Sequence, residues 1–150
     1  MIKRLMENRR GNAMVEFAVS LPILFLAFYG CFQFGYYFYI YNRLESAVRA
    51  GARYASLRSY DSSSSTPADD FLTAVRNTVV YANPSGGTQP VVPGLAAGNV
   101  NLTVTMTNSV PAQMTVSITG FTINAFFGTW TLAQKPVATF RYGGRYAPTS

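Results

Sequence analysis

The feature that most constrains this chain is a long apolar run from Ala13 to Ile40. Between Asn12 and Asn42 the only charged residue is Glu16. As an α-helix the run would be roughly 42 Å long, whereas the hydrocarbon core of a bilayer is about 30 Å thick. The run therefore predicts a membrane-spanning helix that tilts or protrudes at one end. It far exceeds the roughly 7–15-residue apolar core of a secretory signal peptide.

Basic residues before the apolar run predict its orientation. Four of the 12 basic residues in the chain lie in the first ten positions, where Glu7 is the only acid. Because Lys and Arg are retained on the cytoplasmic side, we expect a cytoplasmic N-terminus and a C-terminal domain on the far side of the membrane. The chain would then be a single-pass membrane protein. The remaining basic residues are dispersed and form no stripe beside stacking aromatics, which argues against nucleic-acid binding.

Aromatic residues mark the outer end of the run, at Tyr36, Tyr37, Phe38, Tyr39 and Tyr41. Such residues form belts at membrane interfaces, and the alternative is that they pack against protein.

Apolar residues then continue at helical spacing to Leu57, with Glu45 and Arg49 as an i,i+4 ion pair. We expect one continuous helix from about residue 14 to about residue 57.

The remainder of the chain predicts a small mixed domain. After the polar linker Asp61 to Thr66, Thr66 or Ser65 can cap a second helix that has Asp69 and Asp70 near its positive end. Its apolar face comprises Ala68, Phe71, Leu72, Val75, Val79 and Ala82.

Residues 100–107, 114–119, 129–132 and 137–142 read as strands, the first two by strict alternation. Residues 108–112 are expected to connect the first two strands. Residues 121–130 are expected to be an apolar connection over the sheet. The predicted fold class is α+β, a long N-terminal membrane-spanning helix continuing into an extracytoplasmic domain with a second helix and a small antiparallel β-sheet. The predicted divisions are a leader (1–11), a transmembrane helix (12–41), a helix extension (42–60) and the extracytoplasmic domain (61–150).

The chain has few of the residues that commonly carry out catalysis. It contains no histidine, which excludes Ser-His and Cys-His nucleophile pairs and histidine metal sites. Cys31 is the single cysteine, so an intrachain disulfide is excluded, and in lipid this residue is most simply a small packing residue. The few acids beyond the membrane include Asp69 and Asp70, which sit where acids at a helix start normally sit. We expect no enzyme activity, no metal and no cofactor.

A single carboxylate, that of Glu16, lies five residues beyond Gly11 and just inside the apolar run. An acid at the centre of a membrane costs about 2.5–3.5 kcal/mol, and less near the edge. If the chain were cut after Gly11, the new α-amino group of Asn12 would lie one helical turn from Glu16, or would meet the Glu16 of a neighbouring subunit, and offset that cost. The alternatives are that Glu16 reaches the headgroups as an edge residue and that Gly11 simply breaks the helix.

Small residues and one proline interrupt the apolar run. Residues spaced by four, which let helices approach closely, are Ala27, Cys31 and Gly35, and further on Ala47, Gly51 and Ala55. They are candidate helix-packing faces in an assembly, although Gly and Ala are common in membrane helices in any case. Pro22 removes a backbone donor and is expected to kink the helix.

The basic leader, Gly11 and Glu16 resemble the class III leader of type IV prepilins and pseudopilins. More narrowly, residues 11–56 resemble the TadE-like family of tight-adherence (Tad) pilus assembly. The shared elements are Val15-Glu16-Phe17-Ala18, Leu21-Pro22, Phe34-Gly35 and the stretch from Ala47 to Ala55. Gln33 departs from the family, which often has an acid there. The later part agrees in general character only, including an apolar Phe126-Phe127-Gly128 connection.

This resemblance implies a minor pilin or pseudopilin that serves surface adhesion and biofilm formation. On that analogy a prepilin peptidase cuts between Gly11 and Asn12, and Glu16 is the assembly glutamate. The implied partners are the inner membrane, this peptidase, other Tad pilins and pseudopilins, and the pilus assembly platform. The C-terminal domain would then be periplasmic or extracellular. The alternative is an uncleaved, signal-anchored extracytoplasmic binding protein.

Overall fold

The computed structural model describes residues 2–125 and 128–148, with side chains from residue 12 onward except that of residue 125. The elements in chain order are helix α1 (Ile2–Leu57), helix α2 (Asp69–Tyr81), a 3-10 turn (Ala97–Asn99), and strands β1 (Val100–Thr107), β2 (Val110–Ile118), β3 (Phe121–Ala125), β4 (Gly128–Leu132) and β5 (Val137–Arg141). The predicted α+β class is confirmed. Phe126 and Phe127 lie outside the described residues.

The chain divides into two compact units between Tyr37 and Phe38. The first unit contains the N-terminal part of α1, and the second contains the rest of that helix with every other element. The end of α1 at Leu57 agrees with the prediction, but the helix begins at Ile2 rather than near residue 14. Most leader residues are strong helix formers, and neither Gly11 nor Asn12 ends the helix.

The last turns of α1 form part of the core of the second unit. Leu44, Val48, Ala52 and Ala55 are fully buried there, and Ile40 is 4% exposed. The segment predicted as a helix extension is therefore a core element of the domain. Because its apolar residues recur every three or four positions, one face of the helix packs inward while the arginines stay outside.

Two antiparallel sheets complete the second unit. The first has the strand order β1-β2-β5, and its buried face includes Val104 and Met114, whose neighbours along each strand are exposed or half-buried polar residues. Helix α2 covers this core with Phe71 and Val75. Acids occupy the first turn of α2 as expected, but its N-cap is Ala68 with no side-chain hydrogen bond, so the predicted cap at Thr66 or Ser65 is wrong.

The connections between strands differ from the sequence expectation. Strands β1 and β2 are joined by a tight turn in which Asn108 and Ser109 both have positive φ, whereas a loop over 108–112 was expected. The segment from Phe121 is a second hairpin, β3 with β4, instead of an irregular apolar connection. Phe121 and Ile123 are buried while Thr122 is exposed. This alternation is typical of a strand, but in the sequence it was hidden by the apolar composition of the whole segment.

The tail after β5 binds back onto the end of α1. The backbone N–H of Gly143 donates to the carbonyl of Ser56 at 2.9 Å, and that of Ala147 donates to the carbonyl of Tyr60 at 3.0 Å. The Tyr142 hydroxyl accepts from the backbone N–H of Tyr60 at 2.9 Å and reaches the carbonyl of Arg58 at 3.0 Å. These bonds fix the chain where it leaves α1.

Candidate membrane and assembly site

The first unit presents apolar side chains in every direction around α1. The large exposed residues are Met14, Val15, Phe17, Val19, Ile23, Leu24, Phe25, Leu26, Phe28, Phe32, Phe34 and Tyr36. A contiguous apolar surface of this size marks a membrane or protein contact. Among the described residues, one helix is long and apolar enough to cross a membrane, judged by length and composition. The chain therefore fits a single-pass membrane protein.

Glu16 is exposed on this apolar helix. The only described salt bridge in the chain joins Arg49 to Glu45, so no described cation neutralises Glu16. The hydroxyl of Ser20 donates to the backbone carbonyl of Glu16 at 2.8 Å and leaves the carboxylate itself open. Asn12 is also exposed and lies four residues earlier on the same helix, and residues at that spacing are neighbours on one face. This arrangement leaves the carboxylate available to a cation from a cut N-terminus or from another chain.

Pro22 lies inside α1 and the helix continues through it. Because proline has no N–H, the carbonyl of Ala18 lacks its usual intrahelical donor. Membrane helices tolerate this when a neighbour supplies a hydrogen bond. Pro22 is exposed, so its side of the helix is open to such a neighbour.

The two sets of small residues occupy different environments. Ala27, Cys31 and Gly35 are exposed, and no atom lies within 4 Å of where a Cβ on Gly35 would stand. This set is open to another helix or to lipid.

The other set, Ala47, Gly51 and Ala55, is buried in the second unit. A Cβ on Gly51 would overlap the Val79 side chain of α2. At Gly51 the close approach is therefore within the chain, between α1 and α2, and burial in the second unit also covers Ala47 and Ala55.

Aromatic and basic side chains follow the apolar surface along α1. Tyr36 and Tyr39 are about half exposed, whereas Tyr41 is partly covered and Ile40 is buried. The Arg43 guanidinium donates to the Tyr39 hydroxyl at 2.9 Å, and its carbon lies 5.7 Å from the centre of the Tyr39 ring. Some rings of the aromatic cluster are therefore exposed and others are partly covered by protein, and the membrane-interface belt stays a prediction.

A buried tyrosine cluster holds the tail against the end of α1, and the sequence interpretation missed it. Tyr60 is fully buried, and its ring meets Phe71 edge-on with centroids 5.3 Å apart and Tyr142 at 6.3 Å. Its hydroxyl donates to the carbonyl of Ser64 at 2.7 Å. Burial raises the pKa of Tyr60 and also that of Tyr142. No local pattern links residues 82 positions apart, so only the density of tyrosines near both positions hinted at the cluster.

The part of α1 that contains Glu16 and Pro22 is similar to a known protein family. Residues 11–53 match the family described as TadE-like protein. The resemblance to that family is thereby confirmed, and the matched segment contains Gly11, Asn12, Glu16 and Pro22. The match supports a Tad pilus-associated protein. No curated protein matches the chain, and no solved structure matches it.

Proposed function

We propose that this chain, whose residues 11–53 match the TadE-like family, is a minor pilin or pseudopilin of a Tad pilus. A prepilin peptidase cuts it between Gly11 and Asn12, α1 holds it in the inner membrane with the C-terminal domain outside the cytoplasm, and it joins the pilus or its base. There it contributes to surface adhesion and biofilm formation. The observation that carries the proposal is the exposed Glu16, five residues past Gly11 in an otherwise apolar run of α1.

Electrostatics supports a role for Glu16 in assembly. An acid within the bilayer costs up to about 3 kcal/mol, and no described cation offsets that cost. Cleavage after Gly11 creates an ammonium group on Asn12, which attracts the carboxylate strongly where the dielectric constant is low. The partner is either the amino group of the same chain or that of a neighbouring subunit, and the second case draws subunits together.

Cleavage is tested by N-terminal sequencing of the protein purified from cells with and without prepilin peptidase activity. We expect the mature protein to begin at Asn12 only when the peptidase is active, and to retain all 11 leader residues otherwise. An intact N-terminus in the presence of active peptidase would refute the pilin proposal. That result would favour the uncleaved, signal-anchored binding protein.

Assembly is tested with Glu16→Gln, which keeps the shape of the side chain and removes its charge. We expect normal cleavage but about tenfold less protein in the sheared pilus and pilus-base fractions, as loss of about 1.4 kcal/mol would produce. The matched control is Glu45→Gln, on the same helix in the second unit, where the carboxylate pairs with Arg49. Incorporation of Glu16→Gln at the wild-type level would show that the charge has no role in assembly.

The proposed topology is tested by cysteine labelling. Because Cys31 is the only cysteine, Cys31→Ser gives a background free of thiols. In that background, Ser64→Cys lies in an exposed linker and should react with an impermeant maleimide added to the periplasm. Leu5→Cys, kept in the chain by omitting the peptidase, should react only after lysis. The opposite pattern would invert the topology.

The proposed role is structural rather than catalytic. The chain has no histidine, so the usual histidine-activated nucleophiles cannot be built from it. The proposal accordingly assigns no metal or cofactor to the protein, and its partners are the peptidase, other Tad pilins and pseudopilins, and the assembly platform.

A further inference from the structure

An open cavity of about 420 Å³ lies between the part of α1 just beyond the apolar surface and the end of α2. Its polar lining on α1 comprises Tyr39, Asn42, Arg43 and Ser46, and Ala50 and Ala82 form part of its apolar wall. The volume falls in the range of small-molecule sites, about 300–1,000 Å³. The cavity is part of the second unit and plays no role in the proposed function.

The cavity residues on α1 lie at the end of the apolar run and directly after it along the same helix. The helical run from Ala13 to Ile40 spans roughly 42 Å, which equals the thickness of a bilayer including its headgroups, about 40–45 Å. With Ala13 at the cytoplasmic headgroups, the positions of Tyr39 and Arg43 along the helix correspond to the headgroups of the outer leaflet, where lipid phosphates are concentrated.

The charges around the cavity favour an anion. Arg43 has no carboxylate partner among the described residues, and its guanidinium is held by the Tyr39 hydroxyl at 2.9 Å. Asn42 and Ser46 are exposed beside it and can donate further hydrogen bonds. Of the 12 basic and six acidic residues in the chain, the second unit contains eight and four. A guanidinium with neighbouring neutral donors is the arrangement that phosphate oxygens prefer.

We propose that this cavity binds the headgroup of an anionic phospholipid from the membrane that α1 spans. The phosphate pairs with Arg43, and the polar remainder of the headgroup lies beside Asn42 and Ser46. A purely apolar partner helix would leave the Arg43 guanidinium without an anion, which is why lipid is the favoured occupant. The proposal rests on α1 spanning a membrane, and it holds whether or not the leader is cleaved.

The test uses the full-length protein in phosphatidylcholine nanodiscs that contain trace spin-labelled phosphatidylglycerol or spin-labelled phosphatidylcholine. Electron paramagnetic resonance measures how strongly the protein immobilises each lipid. We expect a preference of about fivefold for phosphatidylglycerol, the factor that one juxtamembrane basic residue produces. The preference should be lost in Arg43→Gln and kept in Arg53→Gln, which removes the same charge from an exposed site on the same helix outside the cavity.

Equal losses in the two variants would overturn the proposal and indicate general attraction by a basic surface. No preference in the wild-type protein would also overturn it.

A second variant separates a shaped site from charge alone. Ala50→Leu fills the cavity without changing charge and, because Ala50 is exposed, spares the core. We expect it to reduce the phosphatidylglycerol preference at least twofold with unchanged thermal unfolding. An unaffected preference would show that the headgroup does not enter the cavity.

A photo-crosslinking amino acid at Ser46 identifies the occupant in cells. We expect lipid adducts by mass spectrometry, and adducts to a protein in place of lipid would refute the proposal.

Discussion

The contact between Gly51 and Val79 yields a sharp test of how α1 and α2 pack. A Cβ on Gly51 would overlap Cγ2 of Val79 and would lie 3.7 Å from the carbonyl oxygen of Val75. Val79 is fully buried and β-branched, so its side chain has little freedom to rotate away. We therefore expect Gly51→Ala to strain the interface even though it improves helix propensity.

The magnitudes follow from these two opposing effects. Overpacking a core costs about 1–3 kcal/mol, and replacing Gly by Ala inside a helix returns about 1 kcal/mol. Gly51→Ala should thus destabilise the second unit by about 1 kcal/mol. Val79→Ala removes two buried methyl groups and should cost about 2–3 kcal/mol, including the cavity it leaves. In the double variant the new methyl group fills part of that cavity without strain, so the loss should be only about 1–2 kcal/mol.

The assay is urea unfolding of the full-length protein in detergent micelles. Fluorescence of Trp130, the only tryptophan and part of the second unit, reports on this unit alone. A loss of 1 kcal/mol moves the midpoint by about 0.3–1 M urea. Gly35→Ala is the control, because no atom lies within 4 Å of the added Cβ.

The reasoning would be refuted if Gly51→Ala were neutral or stabilising. It would also fail if the losses from Gly51→Ala and Val79→Ala added within about 0.5 kcal/mol, since independent sites behave that way.

Three further expectations concern the tail and the membrane helix. Tyr142→Phe removes the hydroxyl that accepts from the backbone N–H of Tyr60 and donates to the carbonyl of Arg145 at 2.7 Å or of Arg58 at 3.0 Å, and we expect a loss of about 1–3 kcal/mol in urea unfolding; a loss below about 0.5 kcal/mol would contradict this role. Because burial raises the pKa of Tyr60 and of Tyr142, the folded chain keeps protons that the unfolded chain releases above about pH 10, so stability should fall as the pH rises past that value and be insensitive to these groups below it. Urea midpoints across that range measure the fall, which should be smaller in Tyr142→Phe. Pro22→Ala restores the donor for the Ala18 carbonyl and should straighten α1 and lower incorporation into sheared pili, and unchanged pilus output would remove Pro22 from the assembly mechanism.

Local patterns were enough to predict the long apolar helix and most of the secondary structure. The apolar run, the helical spacing up to Leu57 and the alternation around Val104 and Met114 each report on chain neighbours a few positions apart. They predicted the α+β class, the end of α1 and the first and last strands. The ordered elements around Glu16 also sufficed to recognise the TadE-like segment. At Phe121 the apolar composition hid a short alternation, and the prediction of an irregular connection there was wrong.

Which of the predicted helix faces are buried was decided by the tertiary structure alone. Ala47, Gly51 and Ala55 have the same spacing of small residues as Ala27, Cys31 and Gly35, yet the first set packs inside the domain and the second is exposed. Spacing fixes which face of a helix a residue occupies, but whether another element of the chain covers that face depends on contacts distant in sequence. For the same reason, neither the cavity at Arg43 nor the Tyr60 cluster could be predicted from the sequence. The long apolar helix, in contrast, was predictable because a run long enough to cross a bilayer is visible in the sequence without any contact to another element.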